Sequence, residues 1–416
     1  MKLSKEKIGD IVIYIIVLLC FAYPISAIAS VILSLPSTPV NMTYRAVCLL
    51  LSVIVISYMM IIREIRIKKS ILPLLAFLFI YLIRLIVDTY IRSVSYYDKL
   101  IDIYGYYLGS IVIPILAIAF AFKYSNQKKL VTLSLFTLLI SNILLIYFYI
   151  RENGWGITPE MLMNRAEITT ADSEGSVVNP ISFSLYGGYL FLLSLTILFI
   201  KKPELPKILK YFSFFGLLLG CFNIILGSSR GPLIFCIVGL ILILVLALSR
   251  IKLNFLNYAK IFLISVGLFF IFSKLTDKVD IEFAAFDRLI RFSEDVKSGE
   301  KEERNLLFDE AWNMFTSSPM LGKKFALDST GSYPHNIILE ILMSLGLFGL
   351  FIYLIIILNT CISFLNLNKN RTHVFRIVVL LILSVGISLT SGSIYQSVDN
   401  WNLIALTLAA HANPYE

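Results

Sequence analysis

The chain has 416 residues, of which 58% are hydrophobic and only 15% charged, with a mean hydropathy of +0.84. Ordinary soluble domains are about half apolar and a quarter charged, so a soluble globular protein, a disordered chain, a collagen-like chain and a disulfide-rich secreted scaffold are excluded. The net charge of +9, from 36 Lys and Arg against 27 Asp and Glu, then reads as an orientation signal for membrane loops and not as a nucleic-acid footprint.

In chain order, apolar runs fall at about 9–35, 42–62, 70–90, 103–122, 130–150, 181–200, 208–227, 232–249, 258–273, 335–358, 374–391 and 400–411. A spanning helix needs roughly 20 apolar residues. The pattern predicts an all-α polytopic membrane protein of about twelve transmembrane helices, with eleven as the competing count because the last run is short. Lys2, Lys5 and Lys7 precede the first run, and Arg63, Arg66, Lys68 and Lys69 follow the second. Lys123, Lys128 and Lys129 follow the fourth, and Lys201, Lys202, Lys207 and Lys210 the sixth. Arg250, Lys252 and Lys260 follow the eighth, and Lys369, Arg371 and Arg376 the tenth. These short connections, and both termini, are expected on the cytoplasmic side. Trp155, Trp312 and Trp401 then fall on the outer side, where interfacial aromatics are expected. The first run is longer than a signal-peptide core and is read as a retained helix.

The five cysteines lie in or against apolar runs and are odd in number, which suits small buried side chains better than a disulfide framework or metal cluster. Gly105-xxx-Gly109 and Gly216-xxx-Gly220 are spacings that let helices approach closely.

Two outer connections are long, 151–180 and 274–334. They divide the chain into nine helices over 1–273, a large outer loop over 274–334, and three helices over 335–416. Within the second loop, Leu307, Phe308, Ala311, Trp312 and Phe315 recur at helical spacing, with Asn305, Asp309, Asn313 and Thr316 opposite. This predicts an amphipathic helix that lies on the membrane or caps the bundle. Pro319 and Gly322 end it.

An ionisable group within a span costs roughly 2.5–3.5 kcal/mol on insertion scales, so each needs a reason. Arg230 sits in the outer turn Gly227-Ser228-Ser229-Arg230-Gly231-Pro232, where its guanidinium could hold phosphate oxygens or a lipid headgroup. Arg84 and Asp88 are one helical turn apart near the outer end of the third run. They can neutralise each other or serve a lipid or acceptor site. Arg45, at the outer end of the second run, is open to the same two readings. Of three histidines, only His335 faces outward, at the start of a helix and followed by Asn336; it could act as a general base near neutral pH. No Walker A sequence, HExxH or Cys/His cluster occurs. The first outer connection, 36–41, carries no acidic residue for a metal.

The segment Pro334-His335-Asn336-Ile337-Ile338-Leu339-Glu340, followed by Leu345-Gly346-Leu347-Phe348-Gly349, resembles the H-N-x-x-L-E…G-x-x-G signature of the O-antigen ligase and polymerase superfamily. Arg304, ahead of Pro319-Met320-Leu321-Gly322, resembles the arginine before the family's P-x-x-G segment, and Ser229-Arg230-Gly231 its S-R-G turn. The matching region runs from about Asn179 to Tyr353; Lys324 stands where the family often has a second glycine. The resemblance implies a GT-C-like membrane glycosyltransferase that needs no metal or other cofactor. Its donor would be an undecaprenyl-diphosphate-linked oligosaccharide at the periplasmic face of the bacterial inner membrane. Arg230 and Arg304 would bind the donor diphosphate and His335 would be the general base, with Arg45, Arg84, Asp88, Asn336 and Glu340 in substrate or structural roles. Implied partners are membrane lipid, a chain-length regulator and a flippase, and no nucleic acid.

Within the superfamily the expected activity is that of an O-antigen polymerase, since the outer side is net acidic. The alternative is the sister ligase, which transfers the glycan to lipid A–core. A reading from another class, a lipid-linked oligosaccharide flippase, would place charges midway through several spans, whereas here polarity gathers at the outer ends.

Overall fold

A computed structural model describes residues 4–92, 94, 96, 99–154, 166–169, 176–200, 205–250 and 303–411. Wherever the apolar runs are described they are helical, because intrahelical bonds satisfy every backbone polar group without water. Two compact units divide the chain, one formed by Met1–Thr137 with Lys301–Glu416, the other by Leu138–Glu300.

The first unit opens with α1 (Lys5–Phe21), capped by Ser4, and α2 (Tyr23–Leu33). They bend by 70° at a break where Pro24 lacks the N–H that a continuous helix requires. Next come α3 (Ser37–Ile61), α4 (Leu72–Ile91), α5 (Leu100–Tyr124) and the start of α6 (Gln127–Asn153). After the second unit the chain returns as α10 (Glu303–Ser317), α11 (Ile337–Asn370), α12 (Thr372–Ser391) and α13 (Val398–His411). The last turns of α4, Val87–Ile91, are wound as π-helix. Such widened turns often mark functional positions.

In the second unit, α7 (Pro180–Phe199) and α8 (Lys207–Gly227) pack at close range, followed by α9 (Arg230–Arg250). A Cβ on Gly220 would stand 2.6 Å from the Gly187 carbonyl oxygen, and one on Gly216 would stand 2.7 Å from Ser194 Oγ. The glycine pair at Gly216 and Gly220 therefore does bring two helices together, as its spacing predicts. Asn142 and Asn223 are buried here and bond each other at 2.6 Å. A two-stranded antiparallel ribbon, β1 (Ile168–Thr169) with β2 (Ser176–Val178), precedes α7.

Among the described residues, eight helices are long and apolar enough to cross a membrane, nine if the bent α1–α2 pair is one span. The apolar stretch of α9, Arg230–Val245, is shorter. The predicted run at 258–273 lies outside the described residues, as do residues 274–302 of the large outer loop and Trp155. The twelfth run needs correction. Helix α13 has 14 residues, about 21 Å at 1.5 Å per residue, against a hydrocarbon core of about 30 Å. It is buried along nearly its whole length and fills the interior of the first unit. Trp401 on that helix is fully buried, not interfacial, and donates to the Ile394 carbonyl oxygen at 2.8 Å. Arg376, expected in an inner loop, is also buried, within α12, 2.9 Å from His373 Nδ1.

Helix α10 forms where the spacing predicts it and caps α11 through Ala311, Met314, Leu327 and Met343, with Leu307 and Leu339 at the edge. Its buried stripe is rotated from the predicted one: Met314 is inside, and Trp312 is 51% exposed.

Candidate active site

The site of the first unit is built on a break in α11. Gly346 adopts φ +65, so the ladder of α11 opens there. The segment 319–323 fills the opening: Leu347 N donates to the Pro319 oxygen at 2.8 Å, Phe348 N to Met320 at 3.2 Å, and Lys323 N to Met343 at 2.7 Å. Gly322, at φ +71, faces the break from the other side, where a Cβ would lie 2.3 Å from the Ser344 carbonyl carbon. The glycines of the two short motifs are thus the two halves of one backbone-to-backbone joint.

Helix α4 holds the same segment from its flank. Arg84 donates to the carbonyl oxygens of Leu321 at 2.6 Å and Lys323 at 3.2 Å, and Arg92 also donates to the Lys323 oxygen. Asp88, fully buried, pairs with Arg84 at 3.5 Å and Arg92 at 3.4 Å and accepts from Phe325 N at 2.9 Å. The expected Arg84–Asp88 pairing therefore forms, and its work is to tie α4 to the loop that enters the kink. Asp88→Asn keeps an acceptor for Phe325 but removes the charge between two guanidiniums. It should destabilise the protein by about 1–3 kcal/mol, read as a lower midpoint of thermal unfolding in detergent. An unchanged midpoint would show that the pair does not hold the loop.

His335 stands just before α11 in the left-handed region, at φ +55. Non-glycine residues are uncommon there, and such positions concentrate at functional sites. The next residue sustains the turn: Asn336 caps α11, its Oδ1 accepting from Ile338 N at 2.9 Å and Leu339 N at 3.1 Å. Asn336 thereby has a structural role. The His335 ring packs edge-on against Tyr333 at 4.6 Å and hydrogen-bonds the Ser391 backbone at the end of α12. One nitrogen so engaged leaves the other to accept a proton. Burial of the ring, and then the charge of Arg304, lower the imidazole pKa from its ordinary value, while the bond to Ser391 opposes them. The ring is therefore neutral at pH 7.

Arg304 opens α10 and donates to the Thr390 carbonyl oxygen at 3.2 Å. The two residues from the motifs thus meet at one place, the last carbonyls of α12, where the helix dipole favours a cation. In the first turn of α11, Glu340 is fully buried. It accepts from Tyr81 OH at 2.7 Å and Ile394 N at 2.9 Å, clamping α4 and the loop after α12 onto α11.

Sequence reasoning missed that loop. Tyr333 OH donates to Gln396 at 2.9 Å, and Tyr395 packs against Tyr333, so residues 390–396 form one wall beside His335. The polar stretch Ser391-Gly392-Ser393-Ile394-Tyr395-Gln396-Ser397 between two apolar runs is the signal that marks it. Arg45, by contrast, stacks on Tyr106 of α5, 3.1 Å from the ring centroid.

Arg230 belongs to the second unit. Ser228 ends α8 in the left-handed region at φ 44, and Ser229 N donates to Ser184 Oγ at 3.3 Å. Gly227 is pressed on α7, where a Cβ would stand 2.6 Å from the Pro180 oxygen. The turn is held rigid on both sides, and Arg230 starts α9 directly from it.

Residues 215–354 match the family model described as O-antigen ligase. The family likeness is to O-antigen ligases. The match supports the ligase and polymerase superfamily read from the motifs, and the matched region includes Arg230, Arg304, both kink glycines, His335, Asn336 and Glu340. No curated protein matches the chain. Among the described residues, no group of three or more His, Cys, Asp or Glu side chains in that region or around it is placed to hold a metal ion.

Proposed function

We propose that the protein is an O-antigen polymerase, a metal-independent glycosyltransferase of the periplasmic face of the inner membrane. It would move a growing glycan en bloc from undecaprenyl diphosphate onto a lipid-linked repeat unit. The observation that carries the reading is the convergence of neutral His335 and cationic Arg304 on the last carbonyls of α12, both residues lying in the region that matches the O-antigen ligase family.

In the proposed reaction a hydroxyl of the acceptor sugar attacks the anomeric carbon of the donor. The new C–O bond forms as the bond from that carbon to the diphosphate oxygen breaks, and the lipid diphosphate leaves with the electron pair. His335 takes the proton of the attacking hydroxyl. Arg304, with Arg230 as the second guanidinium, offsets the charge that develops on the leaving diphosphate. A chain-length regulator and a flippase are the expected partners in the membrane.

The ligase reading shares this donor chemistry, and the net acidic outer side favours the polymerase, because a phosphorylated core would favour basic outer elements. Deleting the gene and resolving the lipopolysaccharide on a gel separates the two. Core bearing a single repeat unit is the expected result; bare core would make the protein the ligase.

A further inference from the structure

A polymerase of this kind must hold two lipid diphosphates at once, the donor's and the acceptor's. The arginines proposed for the donor account for the first only. The attacking sugar lies at the end of the acceptor repeat unit away from its lipid, so the acceptor's diphosphate must bind a repeat unit's length from His335, at the rim of a lipid-facing surface.

The first unit carries a second cationic group, beside exposed apolar side chains. Arg84, Arg92, Lys323 and Lys324 gather where α4 meets the 319–325 segment. Lys324 is paired with Asp328, and Glu310 also acts on it, so its charge is spent locally. Arg84 and Arg92 share the single carboxylate of Asp88, which leaves one positive charge between them. The Lys323 side chain is exposed and makes no ion pair or hydrogen bond among the described residues. Arg92 is 47% exposed, directly beyond the outer end of α4. The described residues thus leave about two positive charges facing outward, matched to a diphosphate.

Below them the surface is apolar and open. Ile83, Ile86 and Tyr90 of α4 are exposed, and Leu321 and Phe348 continue the surface where the segment enters the kink. A prenyl chain could lie along these side chains with its diphosphate against Arg92 and Lys323. The side chains holding the group in place are buried, Asp88 fully and Arg84 mostly, so the cations are fixed rather than carried on a mobile loop.

We infer that Arg92 and Lys323 bind the diphosphate of the lipid-linked acceptor, a second lipid-diphosphate site separate from the donor's. The inference rests on the polymerase reading above. Its test counts sites on the full chain in phosphatidylethanolamine nanodiscs, titrated with undecaprenyl diphosphate and weighed by native mass spectrometry. Two equivalents should bind the wild type; Lys323→Glu should lose one and Arg304→Gln the other. Because the Lys323 side chain makes no ion pair or hydrogen bond among the described residues, the charge reversal tests binding and not folding, and Lys323→Gln should weaken the same site less. Two equivalents retained in Lys323→Glu would overturn the inference. So would one equivalent in the wild type that only Arg304→Gln removes, and that outcome would leave the donor reading intact. No saturable binding to the wild type would overturn the donor reading as well. Displacement of the second equivalent by phosphatidylglycerol at membrane concentrations would make the site one for ordinary headgroups, against the inference.

Discussion

His335→Ala should lower glycan transfer by about 10²–10⁴-fold while leaving membrane insertion and donor binding unchanged. The ring packs against Tyr333 and bonds the end of α12, and Asn336, not His335, caps α11, so its removal takes away a base without removing a cap. The pH dependence gives the second half of the same prediction. The base works when neutral, and its folded pKa is lowered below 6.5 by burial and then by Arg304. The acid limb of kcat/KM should therefore lie below pH 6.5, with activity falling as protonation sets in. Removing a neighbouring positive charge favours the protonated form, so in Arg304→Gln that limb should move upward, toward 6.5, as well as the rate falling. Full activity in His335→Ala, or a limb in Arg304→Gln that moves downward, would remove the general-base role.

Much of this site was legible because its residues violate the rule of their surroundings. In a chain this apolar, a histidine before a helix and arginines at helix ends stand out, and the charge pattern predicts them on one side. The fully paired Asp88 was foreseeable in part, since Arg84 lies one turn away. Its bond to Phe325 was not, because a contact over more than two hundred residues leaves no local pattern. The same holds for Glu340: its position in the motif was plain, but its role depends on Tyr81 and Ile394, which only the packing brings to it. Helix α13 misled for a related reason. Burial inside protein and burial in lipid select the same apolar residues, and only length separates them. Trp401 followed it inward, since an indole can be buried when its N–H finds a carbonyl.

Gly346→Ala should be strongly destabilising. At φ +65 and ψ −160, a region essentially reserved for glycine, an L-residue costs about 1–3 kcal/mol from conformation alone. The added Cβ would also lie 2.5 Å from the carbonyl carbon and oxygen of Met320, both backbone atoms that no rotamer change can move. Relief requires the 319–323 segment to withdraw, and the bonds from Leu347 and Phe348 to Pro319 and Met320 would be lost with it. At about 0.5–1.5 kcal/mol each, those bonds raise the total to about 2–6 kcal/mol. Because Arg84, Arg92 and Asp88 grip the same segment, its withdrawal should loosen the outer end of α4 too. Proteolysis of the detergent-solubilised protein should then become faster near residues 319–325. Gly105→Ala is the matched control: its Cβ would meet only the flexible Met42 side chain at 3.5 Å, an ordinary contact. The unfolding midpoint should fall for Gly346→Ala and stay unchanged for Gly105→Ala. Equal midpoints in the two variants would show that the joint between the kink and the loop carries no stability.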